Sequence, residues 1–176
     1  SAAERWVEAR SLFRQAQQIY PNARALRGIG MTSYELRDYT GAYAALSAAL
    51  TETRRSLDFE QRAQVEALLA RVNGLIGRYT VAHLGDVIGV TIDGVRQTLR
   101  PDGYVLMTAG DHQVTVVLAD ERRVTGRLIV RGGEDDPLPI EPPDPDVAPQ
   151  TVAEAATELD TPGSPGEVTP PRDTSL

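Results

Sequence analysis

The chain has 176 residues and a net charge of −7, and all 18 of its basic residues are arginine; it contains no cysteine. Its length suits one or two small domains. Without lysine or cysteine it cannot use a lysine-dependent phosphate-binding loop, Schiff-base catalysis, thiolate chemistry or disulfides. No apolar run approaches the ~18 residues that a membrane span needs, so the sequence predicts no span.

Residues 2–76 show the spacing of amphipathic helices. Pro21 ends the first helix, and Asn22 can cap the second. A turn is predicted at 39–41, and Asp58 with Gln61 forms a capping signal for a fourth helix. The apolar stripes predicted to form the core are Ala9, Leu12, Phe13, Ala16, Ile19 and Tyr20, then Leu26, Ile29, Gly30, Ser33 and Leu36, then Ala42, Leu46, Ala49 and Leu50, and finally Val65, Leu68, Leu69, Val72, Leu75 and Ile76.

The helical segment repeats itself at an offset of 33 residues, which is typical of helical-hairpin arrays. The matching pairs are Trp6 with Tyr39, Ala9 with Ala42, Phe13 with Leu46, and Ala16 with Ala49. Residues 3–54 resemble the tetratricopeptide (TPR) family through Leu26, Ile29-Gly30, Ser33, Ala42 and Leu46, with Ala9, Phe13 and Pro21 resembling the end of an earlier unit. The resemblance implies antiparallel helical hairpins with a concave peptide-binding groove over residues 1–77.

Residues 78–133 change to short, β-rich segments with alternating apolar residues, which predicts a small antiparallel sandwich. The predicted strands are "YTVAH", "GVTID", "YVLM", "HQVTVVLA" and "VTGRLIV". The order of "VTIDG", "GDHQVTV" and "GRLIVRGG" resembles the PEGA-type β domain of bacterial envelope proteins, although "RPDG" stands in place of the Pro-Glu-Gly-Ala tetrad. The resemblance implies an extracytoplasmic, envelope-associated protein.

Asp93-Gly94 lies between two alternating segments and can be a hairpin turn or a catalytic acid. A type I′ turn needs positive φ, which Asp and Gly tolerate, whereas a catalytic Asp93 has no identifiable partner. We therefore predict a turn here, and likewise at 102–103 and 110–111.

Residues 134–176 contain ten of the twelve prolines, eleven acidic residues and one arginine. Such a composition favours a disordered linker. The fold class predicted for the whole chain is therefore α+β: helical-hairpin repeats, then a β-sandwich, then a disordered tail.

His83 and His112 are the two histidines, and each is predicted to lie at a strand end as an ordinary surface imidazole. A zinc site would need both of them together with carboxylates. We expect no metal and no cofactor, and no nucleic-acid binding, because the arginine pairs lack interleaved aromatic residues.

One helix face carries residue types suited to binding. Arg24, Arg27, Met31 and Tyr34 lie opposite the predicted core stripe of the second helix, on the side that the TPR resemblance implies is the groove. Guanidinium groups beside Tyr and Met suit an acidic, partly apolar protein or peptide partner. The alternative is an ordinary exposed helix face.

These features favour a non-catalytic scaffold in the bacterial envelope or periplasm, with the β domain and tail as spacer. A second hypothesis makes the β domain a binder of cell-wall carbohydrate or a surface anchor. That function needs exposed aromatics, and only Tyr79 and Tyr104 are available there. An enzyme would need a site that the sequence does not contain.

Overall fold

The computed structural model describes residues 1–141, so residues 142–176 of the linker predicted at 134–176 lie outside the described residues. Helices come first and strands follow, which confirms the predicted α+β class. The helices are α1 Ala2–Ile19, α2 Ala23–Glu35, α3 Tyr39–Thr51 and α4 Phe59–Asn73. The strands are β1 Ile76–Thr80, β2 Val87–Ile92, β3 Val95–Gln97, β4 Tyr104–Thr108, β5 Gly110–Leu118, β6 Arg123–Val130 and β7 Asp135–Pro137, with a 3₁₀ turn at Ala82–Leu84.

Side-chain caps fix where the helices begin. The Asn22 carboxamide oxygen accepts from the Ala25 amide at 2.9 Å, and Asp58 with Gln61 forms the predicted capping box of α4. Asp38 caps α3 by accepting from the Gly41 amide. The predicted turn at 39–41 is therefore wrong, because Asp38 starts the helix at Tyr39 and the turn falls before it.

Helix α2 packs between α1 and α3 through small residues. A Cβ added at Gly28 would meet the Phe13 ring of α1 at 2.5 Å, and one added at Gly30 would meet Leu46 of α3 at 2.5 Å. Ala25 and Thr32 are buried in α2 as well, so α2 is covered on two sides rather than on one predicted stripe.

Helix α1 has a partner on one side only, within the part of the chain that the structure describes. Its predicted core stripe is accordingly only partly covered: Phe13 contacts α2, whereas Leu12 is 60% exposed and Ile19 78% exposed. Prediction of a core position from periodicity fails here because the spacing does not say how many neighbours a helix has.

Helix α4 ends at Asn73, and β1 follows after two residues. Ile76 was predicted to be helical but is the first residue of β1, where it is fully buried against the helices. The predicted strand at 79–83 is therefore shifted: the strand covers 76–80, and Ala82–Leu84 forms a 3₁₀ turn.

The strands form two sheets, ordered β4-β1-β7 and β3-β2-β5-β6. All pairs are antiparallel except β1 with β7, which is parallel. Alternate residues of the smaller sheet enter different cores: Ile76 and Leu106 pack with the helices, and Tyr79, Val105 and Met107 pack with the larger sheet. The smaller sheet is therefore a middle layer between helices and the larger sheet.

The folded region continues past the predicted start of the linker at residue 134. Residues 135–137 form β7, Leu138 is 1% exposed, and Ile140 packs over Gly126 of β6. Two apolar side chains separated by a proline are enough to add this segment to the core, although the surrounding composition is acidic and proline-rich.

The hairpin turn at Asp93-Gly94 is confirmed. Their φ angles are +51° and +80°, and Ile92 pairs with Val95 across them. The turn predicted at 102–103 is also confirmed, with Gly103 at φ +73° bonded to Arg100. The one predicted at 110–111 is wrong, because both residues begin β5, where the chain crosses between the two sheets.

The close contact at Gly30 gives a stability prediction. Gly30→Val should destabilise the protein by about 1–3 kcal/mol, since a branched side chain would overlap the buried Leu46. Gly74→Val is the matched control: its Cβ would have ordinary contacts only, and we expect a change within about 0.5 kcal/mol. Urea denaturation of both variants measures this, and equal stabilities would contradict the packing described.

Candidate functional site

The predicted binding residues of α2 differ in how far they are exposed. Arg24 is exposed and has no ion pair with any residue in 1–141, and Met31 is 39% exposed. Arg27 and Tyr34 are half-buried. We call Arg24, Arg27, Met31 and Tyr34 the α2 face.

Arg27 connects the α2 face to α4. Its Nη2 donates to the Gln64 side-chain oxygen, and Gln64 in turn donates to Glu60 at 3.3 Å. The Nε of Arg27 is buried and has no hydrogen-bond acceptor in the described part of the chain. A buried charged donor without an acceptor is costly, and because the protein itself covers this nitrogen, an external acceptor reaches it only if the Arg27 side chain moves.

Tyr34 is held in place by the core of the helical region. Its ring lies 5.7 Å from that of Tyr39, at an angle of 58°, and packs against the buried cluster of the helices. The ring is therefore a fixed wall of the α2 face. The structure brings Arg27 and Tyr34 to the edges of the face and leaves Arg24 and Met31 as its open part.

A second cluster, which the sequence analysis did not single out, joins the helices to the sheets. Arg78 of β1 lies over the rings of Tyr43 in α3 and Tyr104 in β4, at 5.7 and 4.9 Å. It also donates to the Tyr43 hydroxyl at 2.5 Å and to Asp135 of β7. The hydrogen bond with Tyr43 raises the pKa of Arg78 despite partial burial, so the guanidinium stays charged. No local pattern marks these residues, because they come from four separate elements.

A cavity of about 280 Å³ lies beside this cluster. Thr40, Gly41 and Ala44 of α3 form one wall, and residues 96–100 with Tyr104 form the other. Arg100 in this wall is paired with Asp102 and lies over the Tyr43 ring. The cavity is open; Arg100 in its wall is partnered, whereas Arg96, which also lines it, is exposed and has no ion pair within residues 1–141.

The two tyrosines considered for carbohydrate binding do not form a platform. Tyr79 is 3% exposed in the β core, and Tyr104 is covered on one face by Arg78. The structure therefore offers no observation in favour of that hypothesis.

His112 was predicted to be an ordinary surface imidazole, but it has two acceptors. Its Nδ1 lies 2.6 Å from an Asp93 oxygen and its Nε2 lies 2.8 Å from the Thr108 carbonyl. Only the protonated ring can donate to both. Burial opposes that charge, but the hydrogen bonds to Asp93 and Thr108 outweigh it and raise the pKa of His112. The bond with His112 lowers the pKa of Asp93.

Within residues 1–141, no three carboxylate or imidazole side chains converge as a metal site would require, and no helix is both long and apolar enough to cross a membrane. Comparison with family models, curated proteins and solved structures finds no match to this chain. The TPR-like and PEGA-like resemblances therefore remain predictions.

The contacts of Arg78 lead us to expect a loss of stability even when its positive charge is kept. Arg78→Lys keeps the charge but loses the planar group that lies over two tyrosines, and should destabilise the protein by about 1–2 kcal/mol. Arg71→Lys, at an exposed position in the last turn of α4, is the matched control and should change stability by less than about 0.5 kcal/mol. Thermal or urea denaturation compares them; equal effects would mean that the stacking contributes nothing.

The His112–Asp93 pair predicts a pH dependence with a definite sign. The pKa of His112 is raised in the folded protein above its unfolded value of 6.5. Its contribution to stability is therefore fully present below pH 6.5 and is lost as pH rises through the folded pKa. The pKa of Asp93 is lowered in the folded protein below its unfolded value of 3.8. Its contribution to stability is therefore fully present above pH 3.8 and is lost as pH falls through the folded pKa. Asp93→Asn should therefore cost more stability at about pH 5.5 than at about pH 9.

Asp120→Asn is the matched control for this prediction. Asp120 is also an exposed turn carboxylate, but its partner, Arg122, belongs to a residue type that stays charged over this pH range. The stability lost on Asp120→Asn should therefore be the same at about pH 5.5 and at about pH 9, as measured by urea denaturation. A pH-independent cost of Asp93→Asn would show that His112 and Asp93 are not coupled.

Proposed function

We propose that this protein is a non-catalytic protein–protein interaction module of the bacterial envelope. Its helical region binds an acidic, partly apolar segment of a partner protein on the α2 face. The β region and the tail act as a spacer between this surface and whatever the chain is attached to.

The exposed guanidinium of Arg24, beside the exposed side chain of Met31, carries this proposal. Arg24 has no ion pair within residues 1–141, so its donors are open to a partner carboxylate through a charge-assisted hydrogen bond. Arg27 supplies a second positive charge about one helical turn away, positioned by its bond to Gln64. Met31 with Tyr34 supplies apolar contact.

The envelope location and the absence of catalysis rest on the sequence. The PEGA-like order of the β segments implies an extracytoplasmic protein, and the TPR-like repeat implies a scaffold. The rigid attachment of helices to sheets through Arg78 and the shared middle sheet agrees with a spacer that holds the binding face at a fixed angle.

The α2 face gives a binding prediction. Replacing Arg24 and Arg27 together by Gln should weaken capture of an envelope partner, by roughly tenfold if Arg27 makes one charge-assisted bond and Arg24 one exposed pair. The remaining binding should depend less on salt. A pull-down from bacterial envelope extract, quantified for a single captured protein at two salt concentrations, measures this.

Arg5→Gln with Arg14→Gln provides the matched control, since both are exposed arginines on α1 and the charge change is identical. This control should bind as the unchanged protein does. Loss of binding in both double variants would assign the effect to net charge, and unaltered binding by the Arg24/Arg27 variant would refute the role of the α2 face. A far-ultraviolet spectrum of each variant establishes that the helices remain folded.

A further inference from the structure

Helix α1 presents an apolar face that residues 1–141 leave open. No residue of this helix is buried within the described chain. Its exposed large apolar side chains are Trp6, Val7, Leu12, Phe13, Ile19 and Tyr20. A stack of helices stays soluble when its end helices carry a polar outer face, and an exposed apolar face of this kind marks a contact surface.

The internal repeat of 33 residues indicates what kind of element suits this face. Three positions of α1 have buried equivalents in α3: Ala9 with Ala42, Leu12 with Ala45, and Ala16 with Ala49. These positions are buried in α3 because that helix packs against both α2 and α4. In α1, which packs against α2, Leu12 and Ala16 are exposed. A further helix lying along α1 would bury them as their equivalents are buried in α3.

The open stripe of α1 alternates small and large residues. Alanine occupies positions 2, 9 and 16, and a larger residue occupies positions 5, 12 and 19, so each set recurs every seven residues along the helix. We call this stripe the α1 seam; it consists of Ala2, Arg5, Ala9, Leu12, Ala16 and Ile19.

The α1 seam is complementary to itself when two copies run antiparallel. With Ala2 opposite Ile19, every layer of contact places an alanine against a larger side chain: Ala2 against Ile19, Arg5 against Ala16, and Ala9 against Leu12. Pairing large with small residues lets facing helices interdigitate. Arg5 can lay its stem over the alanine and keep its guanidinium in water. This match selects a second copy of the chain as the occupant.

The area of the face is sufficient for a dimer. Leu12 and Ile19 of the seam, with the three aromatic side chains beside it, leave roughly 600 Å² exposed per copy, so a pair buries up to roughly 1,200 Å². That is the lower limit for specific protein–protein interfaces, so the dimer should be weak enough to dissociate on dilution.

We propose that two copies of this protein associate through the α1 seam as an antiparallel helix pair. The two-fold axis passes the middle of α1, so the whole helix from Ala2 to Ile19 overlaps its copy, and each contact occurs twice. The proposal goes beyond the proposed function, because it concerns a different helix and joins two α2 faces in one assembly.

Sedimentation of the full 176-residue chain at increasing concentration tests the pair. The unchanged chain should shift from monomer to dimer, and Leu12→Gln should raise the dissociation constant by roughly a hundredfold, because an apolar contact is lost in both copies. Val7→Gln is the matched control: Val7 is 51% exposed but lies on the far side of α1 from the seam, so the dimer should form as before. A monomer at every concentration, or a dimer that Leu12→Gln leaves intact, would overturn the proposal.

Single-cysteine variants test the orientation, because the chain contains no other cysteine. When Ala2→Cys and Ile19→Cys chains are mixed and oxidised, the antiparallel pair should link one to the other. Ala2→Cys should not link to itself, since its two copies lie at opposite ends of helices and roughly 25 Å apart. Preferential linking of Ala2→Cys to itself would make the helices parallel and overturn the pairing. Far-ultraviolet spectra establish that each variant remains helical.

Discussion

The arrangement of this protein depends on strand β1, whose alternate side chains belong to two different cores. Ile76 is fully buried among the helices, whereas Tyr79 is buried between the sheets. Two residues separate the end of α4 from the start of β1, so a rotation of one region relative to the other would expose one of these side chains. Arg78, between them in sequence, reinforces the joint by lying over a tyrosine from each side. The helices and the β region are thus one continuous structure rather than two modules on a flexible link.

The chain's sole use of arginine for positive charge suits this construction. A planar guanidinium can lie flat on an aromatic ring and donate in its own plane at the same time, which an ammonium group cannot do. Arg78 uses both properties at the joint, and Arg100 does so over Tyr43 while pairing with Asp102. Arg27 uses less of its donor set, with Nη2 bonded to Gln64 and Nε without an acceptor among the described residues.

The sequence predicted those parts of the fold that short-range chemistry decides. Asn22, Asp58 with Gln61, and Asp93-Gly94 each act through bonds or backbone angles within four residues, and each occurs as predicted. The failures are long-range: β7 pairs with a strand 57 residues earlier, as Arg78 and Asp135 show, and no local pattern announces that pairing. Of the four residues of the α2 face, Arg24 and Met31 are exposed, whereas Arg27 and Tyr34 are half-buried, a difference that periodicity alone does not predict. The contact of Arg27 with Gln64 could not be predicted, because it depends on how α4 returns past α2.

The α2 face and the outer edge of β6 would recognise different features of a partner. The α2 face offers side-chain donors, so as a binding surface it would select carboxylates with little regard to backbone conformation. Within the described residues β6 pairs with β5 on one side only, so its other side offers backbone donors and acceptors and would select an extended strand. Added salt would weaken the first interaction more than the second, because it screens exposed charge pairs and not a ladder of backbone hydrogen bonds.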